Sequence, residues 1–376
     1  MGNRVRYCIA ILGLAWGSWS SPAQAQLFFE ADAIVLGRNN QGGSSLVSGS
    51  QSLSTSQGTY GAEPGYRVGL GGVFDNWQVD SSFTQISPWS TSSAGTFGGA
   101  VYFDSMPSPG SNVLSFDSVL QGAATSAFYN QDTSNESLQG GTSFSTYSNS
   151  NYRDAEINIG SSQMNRPWRL AAGYRNIQLD EKNGMFLSGV FDSTGTGLSD
   201  NAITSTGATL ISGVNDGFDA AGAPGGTDTI RYSLDAQSKN ELNGFQTTFG
   251  YRFLDGDWVT LEGIAKAGIY RNRMSGQVAE TVAGAGNDDS VYQRILGDHK
   301  TAAAFAGNLG LRAIVGLTDY IDLVGGVEVL FLSGVALGPD QVGGVSQNAA
   351  GNYVYRVDNH GSIVAYGGTL GLRIFW

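Results

Sequence analysis

The sequence predicts an all-β chain, a transmembrane antiparallel up-and-down β-barrel of ten strands, with short periplasmic turns and long extracellular loops. Three observations predict it. The last fourteen residues, Ile363 to Trp376, alternate with period two. Val364, Tyr366, Gly368, Leu370, Leu372, Ile374 and Trp376 fall on one face; Ala365, Gly367, Thr369, Gly371 and Arg373 fall on the other. An apolar stripe with no further chain to cover it suits lipid better than water. The second observation is that nine earlier segments repeat the alternation, and the third is that short and long links between segments take turns.

The N-terminal segment comes first. Arg4 and Arg6 precede an apolar run from Tyr7 to Trp16, and Ala23-Gln24-Ala25 is a small-residue cleavage pattern. This reads as a signal peptide over 1–25 and a single barrel domain over 26–376. The apolar run is too short for a membrane helix, which needs about 20 residues. Cys8 is the only cysteine and lies in that run, so no disulfide or thiolate metal site is expected in the barrel.

The strand segments follow at 27–36, 66–74, 77–86, 152–164, 168–179, 242–253, 258–270, 302–315, 320–331 and 363–376. The short links are 75–76, 165–167, 254–257 and 316–319; the long ones are 37–65, 87–151, 180–241, 271–301 and 332–362. Such sorting is the signature of an outer-membrane barrel with an even strand count. Stretches 96–104 and 112–120 leave twelve strands open as an alternative. In the first hairpin, a two-residue turn at Asp75-Asn76 pairs Phe74 with Trp77 and Val68 with Phe83, all on one face. Phe74, Trp77, Trp168, Phe253, Trp258 and Trp376 cluster beside the short links, as an aromatic girdle would.

The opposite face carries the charge. Its acids are Glu30, Asp32, Asp80, Asp154, Glu156, Glu262, Asp322 and Glu328, and its bases are Arg67, Arg169, Arg175, Arg252, Lys266, Arg312 and Arg373. Eight against seven makes the expected lumen wall nearly neutral. An ion-selective pore would show one sign. Pairing across hairpins is expected instead, Arg312 with Asp322 and Glu156 with Arg175. Arg169, Arg252, Arg312 and Arg373 lie near the periplasmic end, where they either neutralise Asp80, Glu262 and Asp322 or form a basic constriction.

Composition narrows the function. The formal charge is -12, and loss of Arg4 and Arg6 leaves 18 basic against 32 acidic residues, or -14. That argues against nucleic acid, which requires basic patches. Glycine is 55 of 376 residues, about twice the usual share of ~7%, while 16 Tyr, 18 Phe and 7 Trp separate the chain from disordered secreted sequences.

Several stretches resemble the beta barrel porin-7 family, an outer-membrane family best known from planctomycete bacteria. They are Asp154-Ala-Glu-Ile-Asn158, Ala172-Gly-Tyr-Arg-Asn-Ile-Gln-Leu-Asp-Glu181 and Asn240-Glu-Leu-Asn-Gly-Phe-Gln246, with Phe29-Glu-Ala-Asp-Ala33 and Gly371-Leu-Arg373 similar too. The resemblance implies a porin-like barrel in a Gram-negative-type envelope and carries no site residues.

The leading expectation is passive passage of small polar solutes or ions, without enzymatic chemistry, cofactor or metal. Ten strands lie near the size at which side chains fill the interior, so a closed barrel with a charge-paired lumen, serving structure or surface interaction, is the alternative. A third reading is a rim protease using His360 or His299, placed in the fifth and fourth long loops beside Asp358 and Asp298. Asp216, Asp219 and Asp228 lack the ligand spacing of an EF-hand. Outer-membrane lipid and, through the final strand ending at Trp376, the barrel-assembly machinery are the expected partners. The oligomeric state is left open.

Overall fold

The computed structural model describes residues 25–39, 45–49, 53–54, 59–103, 137–163, 166–192, 203–204, 207–213, 229–256, 258–285, 290–347 and 353–376. The expected signal segment up to residue 24, the stretch 112–120, and Asp216, Asp219 and Asp228 lie outside the described residues.

Ten strands form the wall: β1 (Ala25–Arg38), β2 (Ala62–Phe74), β3 (Trp77–Thr96), β4 (Ser143–Ser161), β5 (Trp168–Asp192), β6 (Thr229–Asp255), β7 (Val259–Ala285), β8 (Val291–Thr318), β9 (Ile321–Val335) and β10 (Gly361–Phe375). Each pairs antiparallel with the next. The ring closes between β10 and β1, from Phe28 opposite Phe375 to Arg38 opposite Ala365. Closure satisfies every edge, which a sheet in lipid requires. In the first hairpin Phe74 faces Trp77 and Val68 faces Phe83, the expected register. Asp75 takes the left-handed turn conformation, φ 48°, which a short polar side chain tolerates.

The strands are longer than their apolar alternation suggests. β6, β7 and β8 run for 27, 27 and 28 residues. The expected fourth loop over 271–301 is therefore mostly strand, and only residues 286–290 separate β7 from β8. The twelve-strand alternative is not realised in the ring. Part of 96–104 forms only a three-residue strand, Val101–Phe103, outside the wall.

The extra length has a physical pattern. On the periplasmic half, the outward side chains are apolar: Ile157 and Ile159 on β4, Leu170 and Tyr174 on β5, Phe245 and Phe249 on β6, Ile269 on β7, Leu309 and Leu311 on β8. Tyr366 to Trp376 on β10 covers the same band, close to the 9–11 residues of a tilted membrane strand. Above Tyr174, Phe245 and Ile269 the outward residues turn polar: Asn176, Gln178, Asn243, Glu241, Arg271 and Arg273. The inward residues change the opposite way. Met185, Leu187, Ile230, Tyr232, Leu234, Met274, Val278 and Val282 are buried in an apolar core. The barrel therefore has two storeys, a membrane storey with a polar inside and an extracellular storey with an apolar inside.

Candidate functional site

In the membrane storey the inward side chains surround a cavity of about 360 Å³ that reaches down to the periplasmic turns. Gln26, Val73, Gln78, Arg252 and Phe375 line its mouth; Thr84, Asp154 and Arg175 line its deep end. Strand alternation places the charges here, since outward positions on the same strands meet lipid.

The charges form pairs that bridge strands. Glu30 on β1 accepts from Arg312 at 2.6 Å and from Arg373 Nε at 2.7 Å. Arg67 on β2 donates to both carboxylate oxygens of Glu328 on β9, each at 2.8 Å. Arg169 pairs with Asp80, whose other oxygen accepts from Asn158 at 3.1 Å. Lys266 pairs with Glu156, which also accepts from Gln246 at 2.7 Å. Arg175 holds Asp154 through Nε at 2.9 Å and Nη2 at 2.5 Å.

One expected pairing is corrected and the other is found with a second, closer partner. Arg312 stands opposite Gly326 and Asp322 opposite Gly316, so the two do not face each other across the hairpin, and Arg312 reaches Glu30 instead. Arg175 does stand opposite Glu156, but at 3.9 Å; its closer partner is Asp154, one inward position further along β4. The four arginines near the periplasmic end are not an unneutralised ring: Arg169 meets Asp80, Arg312 and Arg373 meet Glu30, and Arg252 meets Asp255 at 3.4 Å. Glu262 and Asp322 line the cavity beside them.

Above the charged layers the interior is filled by apolar side chains. Leu36, Ile86, Trp89, Ile177, Leu179, Leu242, Tyr270, Leu330, Leu332 and Ile363 are each at most 3% exposed and pack in one cluster. They come from β1, β3, β5, β6, β7, β9 and β10, and the slanted register brings them to one level, two inward residues deep. The Trp89 indole N–H donates to the Leu36 carbonyl at 2.8 Å, fixing the largest plug residue. These side chains belong to wall strands, so no loop movement withdraws them.

A polar clamp sits on this apolar layer. Arg38 is buried, pairs with Glu181, donates to Ser150, and lies 4.7 Å from the centre of the Tyr60 ring. Glu181 also accepts the Gly338 N–H at 2.9 Å. Asn240 donates to the Ala336 carbonyl and accepts the Ala336 N–H, both at 2.7 Å. Asn272 donates to Asn240 at 3.0 Å and to the Gly334 carbonyl at 3.1 Å. The segment after β9, including the one-turn helix α1 (Gly338–Gln341), is thus held inside the extracellular mouth. Gln341 is fully buried and accepts from Tyr355 at 2.8 Å. Burial, with Asp298 and Asp358 nearby, raises the Tyr355 hydroxyl well above the ordinary tyrosine value.

Sequence reasoning passed over Arg38, Glu181, Trp89, Asn240 and Asn272. The available signal was an even-numbered apolar series, Ile230, Tyr232, Leu234 and Ala236, out of phase with Phe245, Phe249 and Tyr251 on the same strand. His299 is not in a loop: it lies in β8, facing outward, opposite Ser275. His360 precedes β10, is 88% exposed, and bonds Asp358 at 2.7 Å through Nδ1. Among the described residues no cluster of His, Cys, Asp and Glu is suited to a metal ion. Phe74, Trp77, Trp168, Phe253, Trp258 and Trp376 are all exposed at the turn end.

No family model matches the chain, and no curated protein matches it. Solved structures do. The outer membrane protease OmpT from Escherichia coli aligns at 10% identity over 96% of this chain and 99% of that chain, with a TM-score of 0.41. A TodX deltaS2S3 mutant monoaromatic hydrocarbon channel aligns at 8% identity over 94% and 93%, TM-score 0.27. The anion-selective porin from Comamonas acidovorans aligns at 11% identity over 94% and 99%, TM-score 0.21. At these identities the likeness concerns the barrel fold alone.

Proposed function

We propose that this chain is an outer-membrane barrel that is closed in the conformation described, with a charge-paired vestibule facing the periplasm and a rigid storey presented to the outside. The seal at Leu36, Trp89, Leu179, Leu242 and Leu332 carries the reading. Such a layer dewets and blocks ions, as apolar constrictions do in gated channels. The vestibule beneath it pairs each of its basic side chains with a carboxylate, which suits a stabilising network better than a solute site. β10 (Gly361–Phe375), followed by Trp376, is the strand this reading offers to the assembly machinery.

Passage of small polar solutes is the second reading, supported by the polar vestibule that already penetrates the membrane storey. In that reading the seal parts transiently. Planar-bilayer recording of the refolded protein separates the two. Silence across voltage and pH is expected; stable open steps would overturn the closed reading and favour the porin-like one. No chemistry is assigned. Incubation with basic peptides, with His360→Ala as control, tests the rim-protease alternative, and no cleavage is expected.

A further inference from the structure

The vestibule cations are paired, but a group of cations on the outer wall is not. Arg271 and Arg273 are exposed on β7 and face outward. They sit directly above Ile269, which is 73% exposed and flanked by Phe245 on β6 and Phe305 on β8. The apolar band ends at Ile269, so both guanidinium groups stand at its extracellular border. Lys239 on β6 and His299 on β8 lie across from Ser275, one outward position higher. Ala303 and Thr301, opposite Arg271 and Arg273, are small and leave the arginines room. Among the described residues none of these four side chains forms an ion pair with a carboxylate. The acids beside them are Glu241, opposite Arg273, which accepts from Asn243 at 3.4 Å, and Asp180 on β5, opposite Lys239. Asn243 in turn accepts from Tyr174 and Asn176, both at 2.8 Å. The rim is therefore a fixed amide network with an excess of positive charge along one side.

We propose that Arg271 and Arg273, supported by Lys239 and His299, bind the phosphate of an outer-leaflet phosphoglycolipid. The inference rests on the membrane-barrel reading above. In a chain of net charge -12, Arg271, Arg273 and Lys239 on two adjacent strands outnumber Glu241 and Asp180 beside them and favour an anion from outside the chain. The neighbour at the border of the apolar band is the lipid headgroup layer. Two arginines two residues apart on a strand are spaced by about 7 Å, which lets both forks reach one phosphate or two adjacent ones. Charge-assisted, bidentate contacts of this kind are the strong ones, and basic residues at a membrane surface attract anionic headgroups.

The test titrates refolded protein, in neutral detergent, with bisphosphorylated lipid A, dephosphorylated lipid A and phosphatidylglycerol. Wild type should bind bisphosphorylated lipid A at least ten-fold more tightly than the other two. An Arg271→Gln/Arg273→Gln variant should bind all three alike. Equal binding of bisphosphorylated lipid A by variant and wild type would overturn the proposal. So would wild type that binds phosphatidylglycerol as tightly, because the site would then read any anionic headgroup. Insertion into neutral phosphatidylcholine vesicles, read by heat-modifiable gel mobility, checks the barrel itself. A protein that inserts yet shows no phosphate preference sinks this inference alone; one that does not insert sinks the membrane reading.

Discussion

A single buried ion pair shows how residue chemistry fixes the closed state. Arg38 and Glu181 are at most 2% exposed along their side chains, and their remaining groups meet Ser150, the Tyr60 ring and the Gly338 N–H. Burying the pair is costly, but removing one partner costs more, because the other charge stays in an apolar layer. Glu181→Ala should destabilise the folded protein by about 3–5 kcal/mol, measured as a shift of the urea midpoint in detergent. Arg38→Met/Glu181→Leu should lose much less, since neither buried charge then remains. Arg67 is one-quarter exposed and Glu328 13%, so water partly replaces a lost partner there. Glu328→Ala should cost less than Glu181→Ala, and the reverse order would refute this account of the clamp.

At the scale of the element, each long strand reverses its apolar parity once. In β6, Phe245 and Phe249 point to lipid while Tyr232 and Leu234 point inward. Leu234 is 2% exposed in the extracellular core, and Leu234→Ala should cost about 2–5 kcal/mol. Limited proteolysis should then cut the extracellular storey while the membrane storey keeps its heat-modifiable mobility. A pH effect belongs to the same storey. Tyr355 is neutral in the fold and its hydroxyl titrates above the ordinary value of about 10. The stability it contributes is present in full below pH ~10 and drains away as pH rises toward the raised folded value. Protease sensitivity of this storey should rise above pH ~10 in wild type and change less in Tyr355→Phe.

The parity reversal also explains what the sequence made legible. The ten segments that reached the ring are those where lipid demands one continuous apolar face, as in 168–179 or 363–376. The upper halves of β5 to β8 were hidden because their apolar residues sit on the opposite parity and are diluted by Ser, Thr, Asn and Gly. A search for one fixed face ends where the solvent on that face changes. The inward charges could be named from alternation alone, yet their partners could not. Partnership depends on stagger between strands far apart in sequence, as Glu30 with Arg312 and Arg67 with Glu328 show. The seal escaped notice for a similar reason, since Leu36, Trp89 and Leu332 meet only after the ring closes.

For the whole molecule, the decisive quantity is how thick the seal is relative to what surrounds it. The membrane storey already holds a polar cavity of about 360 Å³, and the seal above it is two inward residues deep. Trp89 and Leu332 are its largest indole and one of its fully buried leucines. Trp89→Gly/Leu332→Gly removes most of two side chains from a layer that wall strands alone support. The change should cost several kcal/mol in stability, since single large-to-small core substitutions cost about 2–5 kcal/mol each. It should also connect the vestibule to the polar clamp around Arg38, Ser150 and Glu181. In planar bilayers the wild type should be silent and the variant should show discrete steps. Those steps should be weakly selective, because the vestibule wall carries seven bases against eight acids and presents no ring of one sign. A reversal potential near zero in a salt gradient would agree with that wall. Strong anion selectivity would mean that Arg169, Arg252, Arg312 and Arg373 act unpaired, against the bonds to Asp80, Asp255 and Glu30. A silent variant that still inserts would place the barrier higher, among the residues that hold the segment from Gly334 to Gln341 inside the mouth.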